Sequence, residues 1–558
     1  MLKKAVIFIM IILIAISIPF ILTSVNSESS NEEKLNLTNV VINVKPYSII
    51  YEGDVISCDI TDNVDFMYWS INNISEHYSF YDDDPVIFNP ESTPLEDTYV
   101  NLTVFAENSE GNNSVTIPIM LKKIFFGDIH WHTTFCDGEF SIDEMYSNAI
   151  ADNYLDFACT SPHGELVKIK KLFGWKRLKD ITEQYYIPGE FSNFLGYEYT
   201  GWKLSTASGI KLWPLKERSS HINFYYKEVY DDANSYSRYR KKSYKKIVQT
   251  MAEHRNNGEL NIGYFHHPLG QIKFLSGLIT VDYYSNWSLI FSKLENKNFC
   301  DNFLSVIRGV EVYSQWGTSI GKYSGLPVHF SDPRGRIYEH SDCWVENALW
   351  EWSNNDITKN GKFVFIASSD IHHVNRPGGA ISYNSFDGSN PSGIMAAYAV
   401  HNTREEIWDA MDACDTYGTQ LLKIRANVRF DEQMALGRWI DCSSPLKINI
   451  SVMSTFQGND GSGKSMCPYV YPDNALDNPI SDVWIIKKDK DRGRPWCKII
   501  KHWQLDDDIV TLSFEDSDVQ PNDFYYIAIR QKGAELRSGE NNYTAFLGPV
   551  FINNVKNS

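Results

Sequence analysis

His130 and His132 close an apolar run within the stretch from Phe126 to Gly138. An extended chain repeats every two residues, so both imidazoles fall on one face and can share a metal ion. Asp137, in the turn that follows, can reach back with a carboxylate. A lone His-x-His arises often by chance or from core packing, and repetition is what gives this one weight. Leu155–Thr160 leads to His163, Phe191–Gly196 leads to Glu198, and His221 opens the next run. Leu260–Phe265 leads to His266 and His267, and Phe363–Ser368 leads to Asp370 and His372, again spaced by two. Imidazole and carboxylate are the ligands of divalent ions. In parallel α/β folds the carboxyl ends of the strands converge on one face, so this series predicts a multinuclear metal site.

The same strand-like runs alternate with helical stretches, which predicts βα units and a largely parallel sheet or barrel over residues 123–424. Ser141 and Glu144 form a capping box opening a helix over Ile142–Asn153, and Thr403 with Glu406 opens another that ends near Gly418. A third helix is expected over Tyr244–Arg255. Ahead of this region, residues 35–122 carry short β-rich runs (Asn39–Val44, Asp65–Ile71, Thr98–Ala106, Ser114–Leu121) divided by turn residues, the pattern of a small Ig-like sandwich. β texture returns over residues 425–558 and predicts a second sandwich. The expected fold class is therefore α/β, flanked by two all-β domains.

With those residues in place, Ile124–Ile424 resembles the PHP superfamily, named for its polymerase-associated and histidinol-phosphatase members, and within it the large exported branch. The resemblance implies a distorted (β/α)7 barrel and two or three Mn, Zn or Fe ions. It carries ligand roles to His130, His132, Asp137, His163, Glu198, His221, His267, Asp370 and His372. His267 is preferred to His266 because it precedes Pro268, as in the family. Two departures stand out. Ser161-Pro162-His163 replaces the common Thr-Asp-His, and Cys136 stands where serine is common, which leaves a thiolate ligand open. Members are mostly phosphoesterases, so the resemblance implies a phosphate ester substrate, small or polymeric. Glu198, Asp370 and His372 are the expected catalytic residues, with Glu198 bridging two ions that lower the pKa of a water. Arg376 is a candidate contact for an anionic substrate, and Glu311 a candidate further acid. Two other functions fit the same residues: hydrolysis of an amide or sulfate ester, and a non-catalytic cell-surface protein that retains metal structurally.

Composition narrows the field. The chain has 558 residues, 43% hydrophobic and 22% charged, which excludes a disordered or polytopic membrane protein. Its net charge of −18 offers no nucleic-acid-binding footprint. Lys3 and Lys4 precede an apolar run, Ala5–Leu22, that would span roughly 27 Å as a helix. Residues 1–27 are thus expected to be a signal peptide or an N-terminal membrane anchor, leaving the rest secreted or on the outer face of the cell membrane. Sequons at Asn36, Asn73, Asn101, Asn112, Asn286, Asn449 and Asn542 permit such an export. Nine cysteines are too sparse for a disulfide scaffold, though a pair among Cys442, Cys467 and Cys497 is expected to be feasible. Gly458–Ser465 fits a phosphate-binding loop letter for letter, but turn residues follow it instead of a helix, so it is read as a loop. His329, His340 and His373 are read as ordinary polar residues or partners of the ligands, and Trp202, Trp213, Trp316 and Trp344 as core packing in preference to the lining of a substrate cleft.

Overall fold

The computed structural model describes, in longer runs, residues 98–108, 111–151, 155–164, 174–201, 220–229, 244–266, 285–327, 341–373, 392–454, 479–532 and 542–557, with shorter pieces between 40 and 87 and between 203 and 377. The expected anchor at residues 5–22, the loop at Gly458–Ser465, Arg376, His267, His329 and His340 lie outside the described residues. No helix among the described residues is long and apolar enough to cross a membrane.

Alternation of strands and helices organises the middle of the chain. β1 (Gly111–Asp128) is followed by α1 (Ile142–Ile150), β2 (Phe157–Ala158), α2 (Gly174–Gln184), β3 (Leu195–Gly201) and β4 (Ser220–Tyr226). Then come α3 (Tyr244–Asn256), β5 (Asn261–His266), α4 (Lys297–Val306), β6 (Ile307–Ser314), α5 (Val345–Ser353) and β7 (Val364–Ala367). β8 (Gly393–Ala399), α6 (Arg404–Ala413) and β9 (Thr416–Gln420) complete the series. Both capping boxes form: Glu144 N donates to Ser141 Oγ at 3.1 Å and Glu406 N to Thr403 Oγ1 at 3.3 Å. α6 stops at Ala413, earlier than expected, because Cys414 takes a left-handed conformation and ends the turn.

Pairing is mixed instead of largely parallel. β1–β2, β5–β6 and β6–β7 are parallel, whereas β4 runs antiparallel to both β3 and β5. No described helix separates β3 from β4, so the chain returns beside its own strand, and only antiparallel neighbours can do so without a crossover helix. β1 and β2 belong to one sheet and β3 to β7 to another. Single parallel bridges join the two sheets at their strand ends, Trp131 with Ile371 on one side and His163 with Glu198 on the other. β6 and β7 approach so closely at Gly309 that a Cβ there would lie 1.9 Å from the Val364 carbonyl oxygen.

The flanking regions are bound into this core. β1 is 18 residues long. Its first half pairs with Val100–Asn108 around Leu102, Val104, Ile117 and Ile119, while its second half pairs with β8 and β2. After β10 (Arg425–Phe430) and β11 (Leu446–Met453) come β12 (Ile480–Lys488), β13 (Cys497–Asp507), β14 (Ile509–Asp516), β15 (Phe524–Lys532) and β16 (Asn542–Asn557). β10, β11 and β14 form a separate sheet, but β16 pairs with β9, so β12, β13, β15 and β16 extend the sheet that contains β1. Charge pairs reinforce the junction: Arg425 with buried Glu52, Arg429 with Asp54, and Lys122 with Asp415 at 2.6 Å. Cys442 and Cys497 are buried and free, so no disulfide joins them.

Candidate metal centre

Four backbone segments are laced together in pairs where the sheets meet. Asp370 N donates to the His130 carbonyl at 2.6 Å and His132 N to that of Ile371 at 2.9 Å. Asp128 Oδ1 accepts from His130 N and Ser369 N. On the other side Glu198 N donates to the Pro162 carbonyl, and Gly164 N to that of Glu198. His130 and His132 follow β1, His163 follows β2, Glu198 sits on β3, and Asp370 and His372 follow β7, so all six project into one volume.

Glu198 occupies its centre and is fully buried. His163 Nδ1 lies 2.7 Å and His132 Nε2 3.4 Å from Oε2, and His221 Nδ1 lies 2.6 Å and His266 Nε2 2.9 Å from Oε1. Thr200, two residues along β3 and on the same face, donates to Oε1 at 3.1 Å. Asp370 Oδ1 sits 2.9 Å from His132 Nε2 and 3.1 Å from His130 Nε2. Asp137 forms the outer edge: its carboxylate is 44% exposed and lies 3.3 Å from His163 Nε2 and 3.7 Å from His372 Nε2. The rings of His132 and His372 stack at 4.0 Å.

The register decides between the two adjacent histidines. Thr200, His221 and His266 are direct cross-strand partners on β3, β4 and β5. Side chains opposite one another across a sheet share a face, so His266 reaches Glu198; the expected His267 lies outside the described residues.

This donor set fits divalent ions. Ligand atoms about 2.1 Å from a common ion lie about 3.0–3.4 Å apart, and several of the distances above fall in that range. Three sets, each with donor atoms within 4.8 Å of one another, emerge: His132, Asp137, His163 and His372; His130, His132 and Asp370; and His130, Glu198 and His266. His132 is common to the first two and His130 to the last two, so the sets form one continuous cluster. The field is strongly coupled. Burial opposes charge on Glu198, but His163, His266 and His221 outweigh it and hold its carboxyl well below the usual range. Burial likewise opposes a charged His130 and a charged His163, yet Asp370 with Glu311, and Glu198 with Asp137, raise both well above the ordinary imidazole value. His132 goes the other way, lowered to about 3 by burial and by His372 and His163, which keeps it neutral and ready to donate a lone pair. Burial pushes the Cys136 thiol up to about 11, and its Sγ lies 3.3 Å from His132 Nδ1.

Eight of the nine expected ligands therefore converge, and His266 joins them. Glu311, expected at most as a further ligand, lies behind His130 with its carboxylate 3.0 Å from Nδ1. Sequence reading missed Asp128 and Thr200, although each lies two residues along the chain from a chosen ligand, a spacing that could have flagged them.

A family profile described as a protein of unknown function (DUF3604) matches residues 357–435, the segment from just before β7 into the stretch after β10 that includes Asp370 and His372. No curated protein matches the chain. Among solved structures, a two-domain protein containing a predicted PHP-like metal-dependent phosphoesterase, from Bacteroides vulgatus, is similar over 76% of this chain and 96% of its own, at 12% identity and a TM-score of 0.31. A β-glucuronidase from Parabacteroides merdae is similar over 90% of this chain and 63% of its own, at 9% identity and a TM-score of 0.15. At these scores neither likeness bears on the site.

Proposed function

We propose that the chain is a metal-dependent hydrolase of the PHP type, acting on a phosphate ester outside the cytoplasm. The observation that carries this reading is Glu198: a fully buried carboxylate with three imidazole nitrogens within 2.9 Å and a fourth at 3.4 Å. So dense a set of imidazole and carboxylate donors in one buried volume is the ligand chemistry that a divalent cation takes. The single bridges at Trp131 and His163 support a distorted seven-stranded ring, β1 to β7, around the cluster.

Divalent ions held by these residues supply a polarised phosphoryl oxygen and a water of lowered pKa. The protein's own groups set the geometry. Glu198, with oxygens facing His163 and His132 on one side and His221 and His266 on the other, is placed to serve two ions. Asp370 spans His130 and His132. His372 Nδ1 faces the Asp370 carbonyl oxygen at 3.2 Å, which turns Nε2 toward Asp137 and the open edge. Buried His130 and His132 close the floor, so substrate enters past Asp137, the most exposed member.

Elemental mass spectrometry on the purified full chain, with hydrolysis of aryl phosphate mono- and diesters, tests the proposal. Two or three ions per chain, lost together with turnover in Asp370→Ala, are expected. Absence of bound metal after incubation with Mn and Zn overturns it.

A further inference from the structure

β6 contributes no residue to the three donor sets, yet its carboxyl end touches the ligand segments at several points. Glu311 Oε2 accepts from the Ser368 hydroxyl and lies 3.0 Å from His130 Nδ1, with all three residues buried. Further along, Gln315 Nε2 donates to the Asp370 carbonyl at 2.6 Å, and Trp316 Nε1 to the same oxygen at 3.3 Å. The backbone joins in: Ser368 N donates to the Tyr313 carbonyl and Gln315 N to that of Ser369. Asp370 needs such support, because its φ of 54° lies in the left-handed region that a residue with a Cβ adopts only when its surroundings impose it.

We infer that the end of β6 is the positioning element of the metal cluster: Glu311 fixes the ring of His130, and Gln315 with Trp316 hold the Asp370–His372 turn in its left-handed form. This rests on the metal-centre reading above. With an ion bound, a carboxylate at His130 Nδ1 would keep the proton on that nitrogen and leave Nε2 to the ion, the carboxylate–histidine–metal arrangement that raises ligand basicity. The two donors on the Asp370 carbonyl act differently. They pin the peptide so that the Asp370 carboxylate turns toward His130 and His132 while the His372 ring stacks on His132. Without them the turn relaxes toward ordinary backbone angles, and the carboxylate and imidazole separate.

Glu311→Gln, Gln315→Met and Trp316→Phe test this in the full chain. Dissociation constants for Zn and Mn are read by competition with a chromophoric chelator, and imidazole tautomers by nitrogen NMR, beside the unfolding midpoint of the metal-free protein. Orienting partners of this type are worth about 10–100-fold in metal affinity. Glu311→Gln is expected to weaken binding by that factor and to mix the His130 tautomers. Trp316→Phe keeps the ring of a partly exposed residue, so it reports on the Asp370 turn even where Gln315→Met fails to fold, and an affinity loss toward the lower end is expected. Wild-type affinity and tautomer in Glu311→Gln overturn the His130 half, and wild-type affinity in Trp316→Phe overturns the Asp370 half. Failure of the underlying metal reading shows separately, as a wild-type chain that binds no ion.

Discussion

Glu198→Gln is the sharpest perturbation of the site, because it preserves shape and removes one charge from a carboxylate that four imidazoles face within 3.4 Å. Its effects with and without metal have different sizes. In the metal-free chain the ionised carboxylate is matched by the raised imidazole pKa of His163. A neutral amide among neutral imidazoles replaces that arrangement, so the unfolding midpoint near pH 7 moves little. With ions present the substitution removes a ligand that serves both sides of the cluster. Loss of an orienting partner alone costs up to about 100-fold in affinity, and loss of a direct, shared ligand costs at least that much. Ions at 100 times their dissociation constant stabilise the folded chain by about 2.7 kcal/mol, and a 100-fold weaker variant keeps only about 0.4 kcal/mol. The assay is thermal unfolding across a Zn or Mn titration, with elemental analysis of the same samples. An ion-induced rise in the midpoint equal to wild type, at equal stoichiometry, would show that Glu198 is not a shared ligand.

Two further outcomes test the frame around the site. Gly309→Ala places a methyl group 1.9 Å from the Val364 carbonyl oxygen and 2.7 Å from its nitrogen. Both are backbone atoms, so β6 and β7 must part, at a cost of about 3 kcal/mol or more; a wild-type unfolding midpoint would contradict the close approach. Glu346, fully buried on α5, accepts from Gly321 N at 2.6 Å and from Tyr323 N at 3.2 Å, and burial raises its carboxyl from 4.5 to about 7. A raised folded-state value in an acid means the folded chain holds a proton the unfolded chain has lost. Stability therefore falls as pH rises between those values, by roughly 3 kcal/mol in all. Glu346→Gln keeps both accepted hydrogen bonds and removes that dependence, so the variant gains on wild type from pH 4 to pH 8 in chemical denaturation; parallel curves would refute it.

Much of the site was legible from local spacing, and the reason is covalent geometry. Residues two apart on a strand share a face whatever the rest of the chain does, so His130 with His132 could be recognised as a pair before any fold was known. Capping is equally local: Ser141 and Thr403 need only the backbone three residues ahead. The run of strand, helix and strand also announces which ends carry ligands, and His163, Glu198, His221, Asp370 and His372 were all readable on that basis.

What lay beyond the sequence depends on contacts between distant segments. Whether His266 or His267 faces Glu198 is set by the pairing of β5 with β4, and a shift of one residue inverts every side chain. Glu311 could be singled out as an acid at a strand end, but only the tertiary fold brings it within 3.0 Å of His130 Nδ1. The C-terminal strands alternate as any sandwich would, and nothing in that pattern reveals that β16 adds to β9. The sequence alone determined which residue types stand at strand ends and therefore what chemistry is available. Tertiary structure decided which of them meet, because strand register and the left-handed turn at Asp370 are held by hydrogen bonds whose partners are remote along the chain.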